Sequence, residues 1–186
     1  MDAAEKMTLV VDIELTCDDP PFPATSMEII EIGAVLLSPS FDVVNTFQSY
    51  IKPARNSQLS EFCKRLTNIR QSDIDGAPSF LPAMLRFNDF LGRAGLHWWA
   101  GWGQSDADLI IEECRRNSML SYLELVEYIN LKYVFAKSRK MKQVGLRKAM
   151  ELSGMELEGK PHSALNDAVN AAKLAKIMAP LLGWKI

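Results

Sequence analysis

Two acidic residues within the most apolar stretch near the start of the chain constrain its fold and chemistry more than any other feature. Residues 9–15 read LVVDIEL, and this apolar, partly β-branched composition predicts a buried central strand. Side chains alternate along a strand, so Asp12 and Glu14 point to the same face. Because neighbouring carboxylates repel each other unless a cation lies between them, the pair predicts a divalent-metal site and phosphoryl chemistry.

The composition limits the kind of molecule that can carry this site. The chain has 186 residues, of which 48% are hydrophobic and 24% are charged, enough for one domain with a complete hydrophobic core. No repeat or linker divides it, so we predict a single domain over residues 1–186, with residues 1–6 disordered. The net charge of −2 excludes the basic field of a duplex-wrapping protein but allows local, metal-assisted contact with nucleic acid.

The apolar runs and the cysteines indicate the compartment. No apolar run reaches the roughly 18–20 residues that span a membrane, and residues 1–7 lack the apolar core of a signal peptide. Cys17, Cys63 and Cys114 have no metal-ligand spacing. They predict reduced thiols and therefore a cytoplasmic protein, and the short apolar runs predict that it has no membrane partner.

Strands come first along the chain, and strands and helices alternate after them. Apolar patterns predict strands over residues 7–14, 28–37, 43–51 and 97–101, the second and third as a hairpin. Helical spacing predicts helices over residues 59–66, 79–91, 106–117, 143–153 and 164–178, with irregular short helices over 120–140. This order predicts an α/β domain with a mixed sheet.

A further candidate carboxylate follows the short strand, at the start of the helix predicted over residues 106–117. Ser105 is a suitable N-cap, and Asp108 at the third helical position favours a helix start, so Asp108 has a structural explanation. Asp106 has none, because at helical spacing it shares the inward face with Ile110 and Glu113. We therefore assign Asp106 to the site.

The last candidates lie at the start of the final predicted helix, where residues 161–167 read PHSALND. That helix has an apolar stripe and a polar stripe, the latter including Asn166 and Asn170, and Asp167 belongs to neither. A carboxylate facing small apolar residues needs a partner that a metal would supply; the alternative is an acid that stabilises the helix dipole. His162 precedes the helix, and alone it would indicate only a surface histidine.

Taken in order, these motifs resemble the DEDDh group of 3′→5′ exonucleases. The similarity extends to EIIEIG at residues 28–33, TFQSYIKP at 46–53, LSEFC at 59–63 and GKPHSALNDA at 159–168, which look like the Eri subfamily of histone-mRNA 3′-end exonucleases. It covers about residues 8–180. It implies a ribonuclease H-like α/β fold, with a central mixed five-stranded sheet and helices on both faces.

The resemblance also implies roles for the candidate residues. Asp12, Glu14, Asp106 and Asp167 suit two Mg²⁺ ions, for which Mn²⁺ would substitute, since Mg²⁺ prefers oxygen ligands and shares its shell with substrate phosphate. His162 is placed as the general base. The implied reaction is hydrolysis from the 3′ end of single-stranded RNA or short oligonucleotides, releasing nucleoside 5′-monophosphates. The alternatives are a DNA-directed exonuclease and a non-cleaving module that binds nucleic-acid ends.

The candidate substrate contacts come from several segments. Leu15 and Thr16 follow the metal pair, where the family places the 3′-terminal sugar. Phe62 and Trp102 could pack near the terminal nucleotide or belong to the core. The remaining candidates are Thr67, Lys140 and Lys142.

Two of these candidates lie in segments with their own alternatives. Thr67 precedes Asn68, which stands where the family usually has glycine; asparagine tolerates a left-handed backbone, so we expect the turn to be kept. Lys140 and Lys142 belong to a basic run that either follows the phosphate backbone or forms a solvated surface. The oligomeric state is left open.

Overall fold

A mixed sheet of five strands forms the centre of the computed structural model, which describes residues 7–92 and 95–182. The strands are β1 (Met7–Leu15), β2 (Ile29–Leu37), β3 (Val43–Tyr50), β4 (Leu96–Gly101) and β5 (Glu127–Asn130). They lie in the order β3-β2-β1-β4-β5. β2 is antiparallel to β1 and β3, whereas β4 is parallel to β1 and β5. The mixed five-stranded sheet is confirmed; the prediction for residues 1–6 lies outside the described residues.

Helices cover both faces of this sheet, as predicted. They are α1 (Glu61–Thr67), α2 (Gln71–Asp75), α3 (Phe80–Leu91), α4 (Ser105–Arg116), α5 (Leu131–Ser138), α6 (Leu146–Leu152) and α7 (Ala164–Met178). The core on one face is formed with α3 and α4, and the core on the other with α5, α6 and α7. Within the described ranges, no helix combines the length and apolar character needed to cross a membrane.

The alternation of β1 decides which face receives the acidic pair. Leu9 and Val11 belong to the core beneath α3 and α4, whereas Val10 belongs to the core beneath α7. Asp12 and Glu14 follow Val10 at two-residue spacing, so they lie on the α7 face. The strand is buried from both sides as predicted, and it places its carboxylates at the start of α7.

Three observed elements differ from the predictions. β5 lies within residues 120–140, for which we predicted irregular short helices. We did not predict this strand because its four residues are too few to show an alternating pattern. α2 was not predicted. α6 begins at Leu146 rather than at residue 143, because Gly145 is its N-cap with an extended backbone, φ −64° and ψ 160°.

Local predictions at two helix ends have opposite outcomes. Ser105 is not the N-cap of α4: the helix begins at Ser105 itself and the N-cap is Gln104. The Gln104 side chain donates a hydrogen bond from Nε2 to Oδ1 of Asp108 (3.0 Å), so Asp108 stabilises the helix start with a partner other than the serine. At the end of α1, Asn68 adopts the left-handed conformation with φ 60°, as predicted.

Candidate active site

The acidic residues and the histidine from separate sequence motifs converge at the α7 end of β1. One potential ligand atom from each of Glu14, His162 and Asp167 lies within 4.8 Å of the other two. Burial raises the pKa of Asp12 well above its usual range, and the nearby carboxylates of Asp106 and Asp167 raise it further. The five residues therefore form one electrostatically coupled cluster.

The electrostatics of the cluster favour the binding of a cation. Burial raises the pKa of Glu14 from 4.5 to about 8, and the neighbouring Asp167 and Glu31 add to this rise. Burial likewise raises the pKa of Asp167, against the opposing effect of a hydrogen bond from His162. Because ionised carboxylates this close repel one another, the oxygen-rich cluster suits a bound divalent cation.

Asp106 reaches the cluster from the first turn of α4, just after the end of β4, where the backbone leaves little space. A Cβ at Gly101 would lie 2.9 Å from the hydroxyl of Tyr128 and 3.0 Å from the backbone oxygen of Val11. The Tyr128 hydroxyl donates a hydrogen bond to the backbone oxygen of Gly103, in the turn that leads into α4. Burial raises the pKa of Asp106. Tyr128, which we did not predict, therefore holds the turn that carries Asp106.

A further buried carboxylate, Glu31 on β2, lies beside the cluster and was also not predicted as a site residue. It stands directly opposite Glu14 in the strand pairing. Its Oε1 accepts a hydrogen bond from Nε2 of Gln48 (2.6 Å), and its Oε2 accepts one from the backbone N of Ala164 (3.2 Å). Burial raises its pKa, and these hydrogen bonds oppose the rise. Glu31 thus anchors the first residue of α7. The available signal was its position in an apolar strand, as for Glu14.

Gly33 allows the start of α7 to contact β2 directly. A Cβ at this position would lie 2.1 Å from the backbone N of Leu165 and 2.2 Å from the carbonyl carbon of Ala164. Backbone atoms cannot rotate away as a flexible side chain can, so a larger residue would displace the helix. Gly33 and Glu31 together set the position from which α7 presents Asp167.

The loop that carries His162 is held against α7 by main-chain contacts. His162 has a left-handed backbone, with φ 57°, and its side chain is exposed. Its backbone N donates a hydrogen bond to Oδ2 of Asp167 (3.1 Å), and Nδ2 of Asn166 donates one to the backbone oxygen of Lys160 (3.2 Å). Since a left-handed histidine is strained, these contacts keep it in place beside Asp167.

Asn170 contributes to the same loop, which corrects our assignment of this residue to the solvated stripe of the last helix. Its side chain is 1% exposed. Its Oδ1 accepts a hydrogen bond from the backbone N of Glu158 (2.9 Å), and its Nδ2 donates one to the backbone oxygen of that residue (3.0 Å). Helical periodicity cannot distinguish a solvated amide from a buried amide whose partners lie in another segment.

Of the predicted substrate contacts near β1 and α1, two keep accessible surface. Leu15 and Phe62 are half-buried. Thr16 is 2% exposed, and its Oγ1 accepts a hydrogen bond from the backbone N of Glu28 (3.0 Å). A contact between Thr16 and substrate would therefore have to use hydrogen-bonding capacity of Thr16 that this internal hydrogen bond does not occupy.

Thr67 and Trp102 have structural roles. The Thr67 hydroxyl donates to the backbone oxygen of Cys63 (2.9 Å) and accepts from the backbone N of Ile69 (3.2 Å). Trp102 is 8% exposed, and its indole donates to the backbone oxygen of Val144 (3.2 Å). For Trp102 the structure favours the core alternative, and for Thr67 it favours closure of the helix end.

A groove with a volume of about 490 Å³ opens beside His162 and Asp167. Its walls come from α1, from the start of α6 and from the loop that carries His162. Lys140 and Lys142 are exposed between α5 and α6 and are not among the residues that line this groove. The predicted lysine contacts thus lie outside the cavity next to the cluster.

Comparison with known families and proteins agrees with this geometry. The Exonuclease (RNase_T) family model matches residues 9–175. The rat (Rattus norvegicus) 3′-5′ exoribonuclease 1 is 32% identical over 175 residues, which cover 89% of this chain and 51% of that protein. The human (Homo sapiens) ERI1 exoribonuclease 2 is 30% identical over 200 residues, which cover 96% of this chain and 28% of that protein. The chain therefore spans about half or less of these relatives.

Solved structures show the same fold. The nuclease domain of 3′hExo, described as a DEDDh family member bound to rAMP, superposes with a TM-score of 0.86 and 27% identity, over 97% of this chain and 94% of that one. A full-length 3′-exonuclease gives a TM-score of 0.86 and 29% identity, over 100% of this chain and 64% of that one. The ribonuclease H-like fold implied by the sequence is confirmed.

Proposed function

The chain belongs to the exonuclease family whose model matches residues 9–175, and from this premise we propose that it hydrolyses single-stranded RNA or short oligonucleotides from the 3′ end. The observation that carries the proposal is the convergence of Asp12, Glu14, Asp106, Asp167 and His162 on one face of the sheet. Core formation alone gives no reason to bring four acids together at one place.

The chemistry of the donor set supports a divalent metal in this cluster. The carboxylates of Asp12, Glu14, Asp106 and Asp167 offer hard oxygen ligands, and their raised pKa values indicate that a cation is needed for full ionisation. We propose Mg²⁺, with Mn²⁺ as a substitute. Two such ions, when bound, would acidify the attacking water and stabilise the leaving 3′ oxygen.

His162 is the residue that we propose as the general base. Its side chain is exposed, so it can reach a water molecule that attacks the terminal phosphodiester. Its backbone N donates a hydrogen bond to Asp167, which holds the main chain that carries the ring next to the carboxylates. A neutral imidazole in this position can accept the proton of that water as the P–O3′ bond breaks, and a nucleoside 5′-monophosphate is released.

The substrate class is supported by the relatives. Two similar proteins are named exoribonucleases. One similar structure, at 27% identity, is bound to rAMP, and another, at 28% identity, concerns recognition of the histone mRNA stem-loop by 3′-exonuclease. These names support RNA rather than DNA for this chain. Leu15 and Phe62 are the earlier candidates whose exposure is compatible with a contact to the terminal nucleotide.

The boundaries and location of the molecule are part of the same proposal. We propose that residues 1–186 contain one exonuclease domain, supported by a family match from residue 9 to residue 175. Cys17, Cys63 and Cys114 are free thiols in the structure. Free cysteines support the cytoplasm, where thiols stay reduced.

The activity can be tested with 5′-labelled single-stranded RNA and DNA of matched sequence. We expect a ladder that shortens from the 3′ end of the RNA in Mg²⁺ or Mn²⁺ and that disappears in EDTA. Faster cleavage of the DNA would identify a DNA-directed exonuclease instead. Binding without cleavage of either strand would identify the end-binding alternative.

A further inference from the structure

The groove beside His162 and Asp167 carries two arginines that have no ion-pair or hydrogen-bond partner in the part of the chain that the structure describes. Arg65 comes from α1 and Arg147 from α6, and both side chains are exposed and line the groove. Within residues 7–92 and 95–182, neither guanidinium forms a hydrogen bond or an ion pair with another residue. The acid closest in sequence to Arg65 is Glu61, which is already bound by Lys64 at 2.9 Å.

Four other arginines of the chain are neutralised by acidic side chains. Arg55, Arg70, Arg115 and Arg116 each form an ion pair with an acidic side chain. Arginines that face one cavity without such partners concentrate positive charge there. The natural partner for that charge is an external anion.

Much of the remaining groove wall is apolar. Leu66, Leu146, Leu157 and Pro161 line it, next to the polar side chains of Asn68, His162 and Asp167. Such a surface can contact a base or a sugar while the guanidinium groups bind phosphate oxygens. Its volume of about 490 Å³ lies within the range of about 300–1,000 Å³ typical of ligand sites.

We propose that Arg65 and Arg147 form a phosphate-binding subsite for the nucleotides that precede the scissile bond of a single-stranded nucleic acid. The inference rests on the proposed function, which places the 3′ end at His162 and Asp167. The strand leaves the acidic cluster through the groove, where the arginines neutralise the phosphates that follow. Arg65 was not among the predicted substrate contacts, whereas Arg147 follows the basic run that contains Lys140 and Lys142. The two arginines take the phosphate-binding role that we had considered for those lysines.

The first test measures binding without turnover. Every protein carries Asp12→Asn, and a 5′-fluorescein single-stranded RNA octamer is titrated in EDTA at several salt concentrations. Arg65→Gln with Arg147→Gln is compared with Lys52→Gln plus Arg86→Gln. The control removes the same charge from two exposed side chains that form no hydrogen bond or ion pair within the described residues, and neither of them lines the groove.

Loss of both arginines should flatten the dependence of log K on log salt concentration by about 1.4, because each phosphate contact of a single strand contributes roughly 0.7 to that slope. Affinity should fall by at least about tenfold, because charge-assisted hydrogen bonds to phosphate are lost. The control should keep the slope of the parent. An unchanged slope, or an equal loss in the control, would overturn the subsite.

A second measurement uses proteins with Asp12 intact and varies substrate length. The advantage in kcat/KM of an octanucleotide over the nitrophenyl ester of a mononucleotide should fall by at least about tenfold when both arginines are replaced. If the advantage is kept, the groove does not hold the strand. Failure of the proposed function would give a different result from failure of the subsite. The parent protein would then not cleave RNA, but the binding experiment would still show whether the two arginines bind the strand.

Inorganic phosphate serves as the competitor that separates a strand from a free anion. Displacement of the octamer should need far more phosphate than an unlabelled octamer, because a strand contacts both arginines and the apolar wall at once. If inorganic phosphate displaced the labelled octamer as effectively as the unlabelled octamer does, at the same concentration of phosphate groups, the assignment to nucleic acid would be overturned.

Discussion

Asp12 carries a carboxylate whose charge this fold disfavours without a cation. Burial and the neighbouring carboxylates raise its pKa, so its ionised form is disfavoured in the metal-free protein. Asparagine has nearly the same shape and no charge.

We therefore expect Asp12→Asn to abolish cleavage and to leave the metal-free melting temperature unchanged or higher. The checks are a labelled-RNA assay and thermal unfolding in EDTA. Retained cleavage would contradict the assignment of Asp12 to the metal site, whereas a large drop in melting temperature would mean that its role is structural.

His162 is the second single residue on which activity should depend, and it acts through proton transfer rather than through metal binding. Its ring is exposed, and its main chain is fixed by Asp167, so removing the ring should leave the loop in place. We expect His162→Ala to lower kcat by about 100-fold or more with little change in KM, as for loss of a general base. Steady-state kinetics would measure this, and unchanged turnover would show that the histidine takes no part in proton transfer.

At the scale of elements, the contact between β2 and the start of α7 controls the site. Glu31 binds the backbone of Ala164, and Gly33 lets that backbone approach. Both residues lie on a strand that holds none of the proposed metal ligands. The position of α7 is what brings Asp167 to the acidic pair on β1.

We expect Gly33→Ala to lower both stability and kcat, because its Cβ would lie 2.1 Å from the backbone N of Leu165. Overpacking of this kind costs about 1–3 kcal/mol. Gly76→Ala is the matched control, since its Cβ would meet nothing within 4 Å, and its free energy of unfolding should change by at most about 0.5 kcal/mol. Denaturant unfolding and kinetics would compare the two; equal behaviour would show that α7 can shift without consequence.

For the whole molecule, the acidic cluster couples stability to pH and to metal. The pKa of Glu14 is about 8 in the folded protein against an ordinary value of 4.5. Between these values the native state retains a proton that the unfolded chain has released. The free energy of unfolding of the metal-free protein should therefore fall as pH rises through this window.

A divalent cation that replaces those protons should reverse the trend. We expect millimolar Mg²⁺ or Mn²⁺ to raise the melting temperature more at about pH 8 than at about pH 4.5. These two values are the pKa of Glu14 in the folded protein and its ordinary pKa. Calorimetry with and without EDTA would measure both effects. If the metal raised the melting temperature equally at both pH values, metal binding would not depend on the ionisation of these carboxylates.

The sequence alone was sufficient for features that depend on local periodicity or on ordered motifs. Two-residue alternation placed Asp12 and Glu14 on one face of a buried strand, and helical spacing distinguished Asp106 from Asp108. The motif order led to the ribonuclease H-like fold, which the superposed structures confirm. These patterns are readable because neighbouring residues keep a fixed geometry whatever the chain does elsewhere.

The tertiary structure decided everything that joins distant segments. The hydrogen bond from Ala164 to Glu31 spans 133 positions, Asn170 is buried because a loop packs over it, and β5 exists because it pairs with β4. Arg65 and Arg147 face one groove only after α1 and α6 have packed. Such contacts depend on the packing of whole elements, and no local periodicity of the sequence predicts which distant residues that packing brings together.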